Sequence, residues 1–283
     1  MELIYKVADL RVAIESARSA GKRIGFVPTM GALHEGHSSL VKEALKKTDF
    51  VVVSVFVNPL QFGAGEDFDK YPRALGVDAN LLAELGADVL FAPSAAEVYP
   101  KDKPVQQLSA GELGKRFEGA SRPGHFDGML TVVNRLFNLV EPDSVFFGAK
   151  DAQQVALVRA MLTEQTATGQ RSPIQLFECE TVRDTSGLAL SSRNRYLSQE
   201  ELAVARTINQ ALRAGAAQDS VAEAKTAALT VLSPEAKLDY LELVDADSFE
   251  VLDSAKGKRA RLIIACRVGQ TRLIDNLLID RTA

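Results

Sequence analysis

The chain contains only three histidines, and two of them stand three residues apart in Pro28-Thr-Met-Gly-Ala-Leu-His-Glu-Gly-His37. Imidazoles at that spacing suit the chemistry of anions. Residues i and i+3 share one side of a helical turn, and a helix start points backbone N–H groups at a negative ligand. Gly31 and Gly36 leave room for a bulky anion to approach the backbone. Three other stretches are of the same kind. Asn58-Pro-Leu-Gln-Phe-Gly63 offers amides, Gly148-Ala-Lys-Asp151 offers the ammonium of Lys150, and Gly187-Leu-Ala-Leu-Ser-Ser-Arg193 offers two hydroxyls and a guanidinium. Imidazoles, ammonium, guanidinium and hydroxyls together describe a polyphosphate site, built to meet negative charge that grows as a phosphate bond breaks.

Such loops need a scaffold. Ile24–Val27, Phe50–Val57, Val89–Ala92, Ser144–Phe147 and Ile174–Phe177 are short, β-branched or aromatic, and bounded by turn formers, as buried strands are. Between them, Ser39–Lys47, Leu75–Leu85, Met129–Val140 and Ala152–Thr166 repeat apolar residues at helical spacing. The alternation predicts an α/β fold, a Rossmann-like parallel sheet with helices on both faces. All four loops then follow strands, at the edge where open parallel sheets bind ligands. After about Arg183 the pattern changes. Gln199–Leu232 is alanine-rich and helix-favouring, Ser233-Pro234 ends it, and Leu238–Val244, Arg261–Val268 and Thr271–Ile279 read as strands, the last two a hairpin. The expected division is a Rossmann-like domain over residues 1–182 that carries the first three loops and a smaller α+β domain over 183–283 that covers the site.

Composition narrows the function classes. Of the 283 residues, 46% are hydrophobic and 25% charged, the balance of a globular protein with a packed core. The net charge of −4 gives no chain-wide attraction to nucleic acid or anionic lipid. The run Phe50–Val57 is far too short to cross a bilayer, and the amino-terminal residues lack the pattern of a secretory signal, so no membrane role and a cytoplasmic location are expected. Cys179 and Cys266 belong to no Cys/His cluster and read as buried thiols.

His34-Glu-Gly-His37 resembles the His-x-Gly-His signature of the nucleotidyl-transferring Rossmann enzymes, and Leu190-Ser-Ser-Arg193 resembles their second, Ser/basic loop. With Phe56-Val-Asn-Pro-Leu-Gln-Phe-Gly63, Arg122-Pro-Gly-His-Phe-Asp-Gly128, Gly148–Asp151 and Ser191-Ser-Arg-Asn-Arg-Tyr196, the order and spacing are similar to the pantothenate synthetase family. The resemblance implies ATP-dependent ligation of (R)-pantoate and β-alanine through a pantoyl adenylate, with release of AMP and pyrophosphate. It assigns ATP to Met30, Gly31, Ala32, Leu33, His34, Glu35, Gly36, His37, Gly148, Ala149, Lys150, Asp151, Val182, Leu190, Ser191, Ser192 and Arg193. Pantoate falls to Gln61 and Gln154, with Gln61 also near β-alanine, and His37 is a proton donor. A homodimer is implied too. The chain departs from the family pattern at three places, with Ala149 where Glu is usual, Ala152 where an aromatic is usual, and Leu190 where Met is common.

The chemistry agrees with these roles. When the pantoate carboxylate attacks the α-phosphate, anion meets anion. His34, His37, Lys150, Arg193 and an Mg²⁺ held mainly by the phosphates are expected to offset the repulsion. An imidazole beside phosphate oxygens favours its protonated form, which suits His37 as donor to the leaving group. Attack by the β-alanine amine on the mixed anhydride needs positioning, worth about 7–11 kcal/mol at best. Gln61 and Gln154 offer donor and acceptor to hydroxyls without adding charge. Phe62–Pro72 is an expected lid that excludes water.

Simpler roles stand beside these. The histidines also suit capping of the following helix, Lys150 a solvated surface, Arg193 and its serines a cap or ion pair, and His125 the structuring of its own loop. Asp67, Asp69 and Asp78 are within sequence reach of Mg²⁺, but no protein metal ligand is assigned. Two other functions share the signature loops: transfer of AMP from ATP to a phosphorylated acceptor, and non-catalytic nucleotide or RNA binding. The first does not need the Asn58–Gly63 and Arg122–Gly128 motifs, and the second lacks the basic surplus that RNA binding requires.

Overall fold

The computed structural model describes residues 1–63, 68, 74–102 and 104–282. These form two compact units, one of Met1–Gly148 with Leu157–Cys179, the other of Ala149–Ala156 with Glu180–Ala283.

In the first unit the chain runs β1 (Glu2–Ile4), α1 (Val7–Ser19), β2 (Ile24–Thr29), α2 (Glu35–Lys47), β3 (Phe50–Val55), α3 (Leu75–Leu85), β4 (Val89–Phe91), α4 (Ala95–Val98), α5 (Glu118–Ser121), α6 (His125–Val140) and β5 (Ser144–Gly148). Helix α7 (Ala152–Ala167) and strand β6 (Gln175–Cys179) follow. Among the described residues, six strands form a parallel sheet in the order β1-β4-β3-β2-β5-β6. The expected α/β architecture is present. β2 and β3 sit at its centre, which explains their continuous apolar runs: Ile24, Phe26, Val27, Val51, Val52 and Val53 are fully buried, as strands covered on both faces must be. One face packs Leu40, Val41 and Ala44 of α2 and Leu82 of α3 against Val27, Val51 and Val53. Strand direction reverses its progression at β2, since the chain leaves β2 for β3 on one side while β5 and β6 lie on the other. Such a switch point opens a crevice beyond the carboxyl ends of the strands.

Four elements had no counterpart in the sequence reading, the single-turn helices α4 and α5 and, more telling, β1 and α1. β1 has only three residues, two of them exposed, and pairs with β4 at the sheet edge; the hydrogen bonds that make it a strand come from a segment almost ninety residues away. α1 follows it, burying Leu10, Ile14 and Ala17.

In the second unit the helix-favouring stretch resolves into α8 (Gln199–Ala216) and α9 (Val221–Val231). Both begin with reciprocal capping boxes, Ser198 with Glu201 and Ser220 with Glu223, which satisfy backbone N–H groups that have no partner inside the helix. Strands β7 (Lys237–Asp245), β8 (Arg259–Val268) and β9 (Thr271–Asp280) form an antiparallel sheet, and its inner residues pack with α8 around Ala205, Ile208, Leu212, Leu262 and Ile264. No described helix is long and apolar enough to cross a membrane.

Candidate functional site

The histidine loop leaves the carboxyl end of β2. Its path is unusual: Gly31 has φ of +85° and Ala32 follows at +52°. A side chain at position 31 would also press on Val55 Cγ1 and Asp78 Oδ2, so glycine is required there on two counts. The Asp78 carboxylate, 2% exposed on α3, accepts the N–H groups of Ala32 at 3.0 Å and Leu33 at 2.8 Å. Thr29 Oγ1 donates to Ser54 O at 2.7 Å and accepts from Gly31 N. Asp78 is thus neither a solvated carboxylate nor aimed at a metal; it holds the loop. Asp67 and Asp69 lie outside the described residues, as does most of the expected lid, residues 64–67 and 69–72.

His34 caps α2, and the two imidazoles do so reciprocally. His34 Nδ1 accepts the N–H of Gly36 at 3.1 Å, and His37 Nδ1 accepts the N–H of His34 at 3.3 Å. The ring centroids stand 4.2 Å apart. A Cβ at position 36 would lie 2.9 Å from His34 Cε1, so the glycine between the histidines lets the first ring fold over the helix start. A ring nitrogen that accepts a backbone N–H carries no proton. Each neutral imidazole therefore keeps its proton on Nε2, and protonation at Nδ1 would break a cap. Capping and anion chemistry, alternatives in the sequence, divide between the two nitrogens of each ring.

Gln61 is buried, at 7% exposure, in the turn Pro59–Gln61. Asn58 Nδ2 donates to Gln61 Oε1 at 3.2 Å and to Gly128 O at 3.0 Å, and Tyr99 Oη donates to Asn58 Oδ1 at 2.8 Å. With its oxygen engaged, Gln61 turns Nε2 toward Met30 Sδ, 3.0 Å away. His125, the first residue of α6, joins the same group: Arg122 donates to Nε2 at 2.9 Å, which leaves Nδ1 to donate to Gln61 O at 2.8 Å. The ring structures its loop, and through it the backbone of Gln61. Burial pushes the Tyr99 phenol well above its ordinary range, so it remains a hydrogen-bond donor at neutral pH.

The second unit holds the other cationic loops. Lys150 lies in the turn Ala149–Asp151, which follows directly on β5; its side chain is 20% exposed, with Nζ 3.8 Å from Asp151 Oδ1. Gln154 is half-buried and Ala152 is buried. Val182, Leu190, Ser191, Ser192 and Arg193 are all half-buried. Leu190 N donates to Val182 O at 2.9 Å, Arg183 bridges to Ala189, and Ser191 Oγ caps the turn Ser192–Tyr196 by accepting from Arg193 N at 3.2 Å. Met30, Glu35, Gly36, His34, His37 and Gln61 therefore belong to the first unit with Gly148, whereas Ala149, Lys150, Asp151, Gln154 and the Val182–Arg193 residues belong to the second.

Sequence reading missed the residues that hold these loops. Asp78, Tyr99, Asp275 and Asn276 are polar, buried or half-buried, and distant in sequence from what they bind. Asp275-Asn276 did leave a signal, as adjacent polar residues inside an otherwise apolar strand. Cys179 and Cys266 form no disulfide, and burial pushes their thiols up to about 11 and about 12. Among the described residues no three His, Cys, Asp or Glu side chains gather in a metal-binding group.

A parallel α/β sheet whose central strand leads into a His-x-Gly-His helix cap defines the class of fold and site. The family model for pantoate-beta-alanine ligase matches residues 2–278. A pantothenate synthetase of Pseudomonas fluorescens Pf-5 is 46% identical over 290 residues, covering 99% of this chain and 98% of its own. The solved pantothenate synthetase of Thermus thermophilus superposes with a TM-score of 0.89 at 45% identity, over 99% of both chains. The solved Francisella tularensis pantoate-beta-alanine ligase, complexed with beta-gamma ATP and β-alanine, gives 0.79 at 36% identity, over 98% of this chain and 97% of its own. The chain belongs to the pantoate-beta-alanine ligase family. Neither the transfer of AMP to a phosphorylated acceptor nor a non-catalytic role is favoured by these matches.

Proposed function

We propose that this protein is an ATP-dependent ligase that joins (R)-pantoate to β-alanine through a pantoyl adenylate, releasing pyrophosphate and then AMP. The observation that carries the reading is the reciprocal histidine cap at the switch-point strand, in a chain matched by the family model over residues 2–278. The relative complexed with beta-gamma ATP and β-alanine supports ATP and β-alanine as substrates.

In the first step a pantoate carboxylate oxygen forms a bond to the α-phosphorus of ATP, and the bond from that phosphorus to the bridging oxygen of pyrophosphate breaks. His34 and His37 donate through Nε2 to phosphate oxygens, while Lys150 and Arg193 meet the charge that accumulates on departing pyrophosphate. The hydroxyls of Ser191 and Ser192 supply further donors, and Met30–Leu33, whose N–H groups at Gly31, Ala32 and Leu33 are held by Thr29 and Asp78, keeps the path that brings the histidines to the nucleotide. Gln61 and Gln154 hold the hydroxy acid; Gln61, its oxygen already engaged by Asn58, does so as a donor. In the second step the β-alanine nitrogen attacks the acyl carbon, AMP leaves with the former carboxylate oxygen, and the amine loses its proton to solvent. No side chain is acylated. Mg²⁺ bound to the ATP phosphates would neutralise part of their charge, adding to what the imidazoles, Lys150 and Arg193 do.

We further propose a homodimer in the cytoplasm, in keeping with the family resemblance and with the absence of a membrane-crossing helix among the described residues. The purified protein should convert ATP, pantoate and β-alanine into equal amounts of AMP and pantothenate, followed by mass spectrometry. Formation of AMP on a phosphorylated acceptor in place of pantoate would refute the reading.

A further inference from the structure

The turn that carries Lys150 is held from the far end of the chain. Asn276, 5% exposed on β9, donates through Nδ2 to Ala149 O at 2.8 Å and to Lys150 O at 3.0 Å. Its Oδ1 accepts from the buried guanidinium of Arg261 on β8, at 2.6 Å. The amide orientation follows from the chemistry of its partners, because a guanidinium only donates and a carbonyl only accepts. The preceding residue, Asp275, also 5% exposed, forms a bidentate pair with Arg183 at 2.6 and 2.9 Å. Arg183 further donates to Gly187 O and Asn276 O. Successive residues of a strand point to opposite faces, yet both are buried; one binds the turn of Lys150, the other the segment leading to Ser191 and Arg193.

We propose that Asn276 is a positioning residue: by gripping both carbonyls of the Ala149–Lys150 turn it sets the direction in which the Lys150 ammonium meets phosphate. This rests on the ATP-binding role of Lys150 proposed above. A lysine stem has four rotatable bonds, so its backbone must be fixed if the charge is to be aimed. Asn276 has two Nδ2 donors, both used on that turn.

The test is a double-mutant cycle on ATP affinity, read by isothermal titration, with the wild type, Lys150→Ala, Asn276→Leu and both together. Leucine is close to asparagine in size and adds no charge, but it removes the acceptor of Arg261 together with the two donors, so the dependence of the loss on Lys150, not its size, reports the grip on the turn; Asn276→Ser serves should the leucine variant fail to fold. We expect Asn276→Leu to weaken ATP binding about tenfold, and to weaken it no further once Lys150 is gone. An equal loss with and without Lys150, or wild-type affinity in Asn276→Leu, overturns the positioning role. If the wild type binds no ATP, the functional reading itself fails, an outcome distinct from a wild type that binds ATP and is indifferent to position 276.

Discussion

The histidine loop and the lysine loop are held in contrasting ways. The first is supported close to home: His34 and His37 cap each other across three residues, and Asp78 reaches the loop from α3, 46 residues along the chain from Ala32. The second is gripped by Asn276, 126 residues beyond Lys150, and its neighbour loop by Asp275, 92 residues beyond Arg183. Hydrogen bonds among β2, α2 and α3 place the imidazoles, whereas the turn that carries the ammonium is held from the final strand.

That difference sets the order of expected effects. Lys150→Ala should lower adenylate formation by at least about a thousandfold, as loss of a charge aimed at a transition state does. Its melting temperature should stay nearly unchanged, because the 3.8 Å pair with an exposed Asp151 contributes little. Retained activity would remove Lys150 from the site. Asp275→Ala leaves the half-buried Arg183 guanidinium without its carboxylate, with only the carbonyls of Gly187 and Asn276 as acceptors, and should cost roughly 3–5 kcal/mol in urea denaturation. Asp78→Ala leaves two buried N–H groups unpaired, at about 1–3 kcal/mol each, and should cost less overall while disturbing the histidines more. Equal behaviour of the two variants in both respects would erase the contrast between local and distant support.

A finer probe is the nitrogen NMR spectrum of the imidazoles. His34 and His37 should appear at neutral pH as the Nε2–H tautomer in the wild type and in Asp275→Ala, with disorder of that signature in Asp78→Ala. Nδ1–H rings would contradict the caps. The smallest effect concerns the thiols. Cys266 is fully buried and its thiol is pushed up to about 12, so iodoacetamide at pH 8 should modify it only after unfolding, and Cys179, at about 11, slowly. Rapid labelling of Cys266 in the folded protein would show that the core around β8 opens.

The same contrast explains what could be read from the letters. β2 to β5 announce themselves because each is a mostly buried apolar run, whereas β6 is a half-buried edge strand legible only from Leu176 and Phe177 between turn formers; the loops after them stand out by their histidines, lysine and paired serines. α2 carries its own capping residues, so its start is legible. β1 is not, since two of its three side chains are exposed and its strand character comes wholly from pairing with β4. Of the site, the residues offered to ligand were readable by type and spacing. Their supports were not: Tyr99 with Asn58, Asp78 with Ala32 and Asn276 with Ala149 are partnerships across tens of residues, created by the fold and invisible to any local pattern.

The central claim is that pantoate is activated by ATP before the amine takes part. Exchange of isotope-labelled pyrophosphate into ATP tests it most directly. With pantoate and Mg²⁺ present and β-alanine absent, label should enter ATP, and AMP should accumulate only once β-alanine is added. No exchange until the amine is supplied, or exchange that requires a phosphorylated acceptor, would contradict the account.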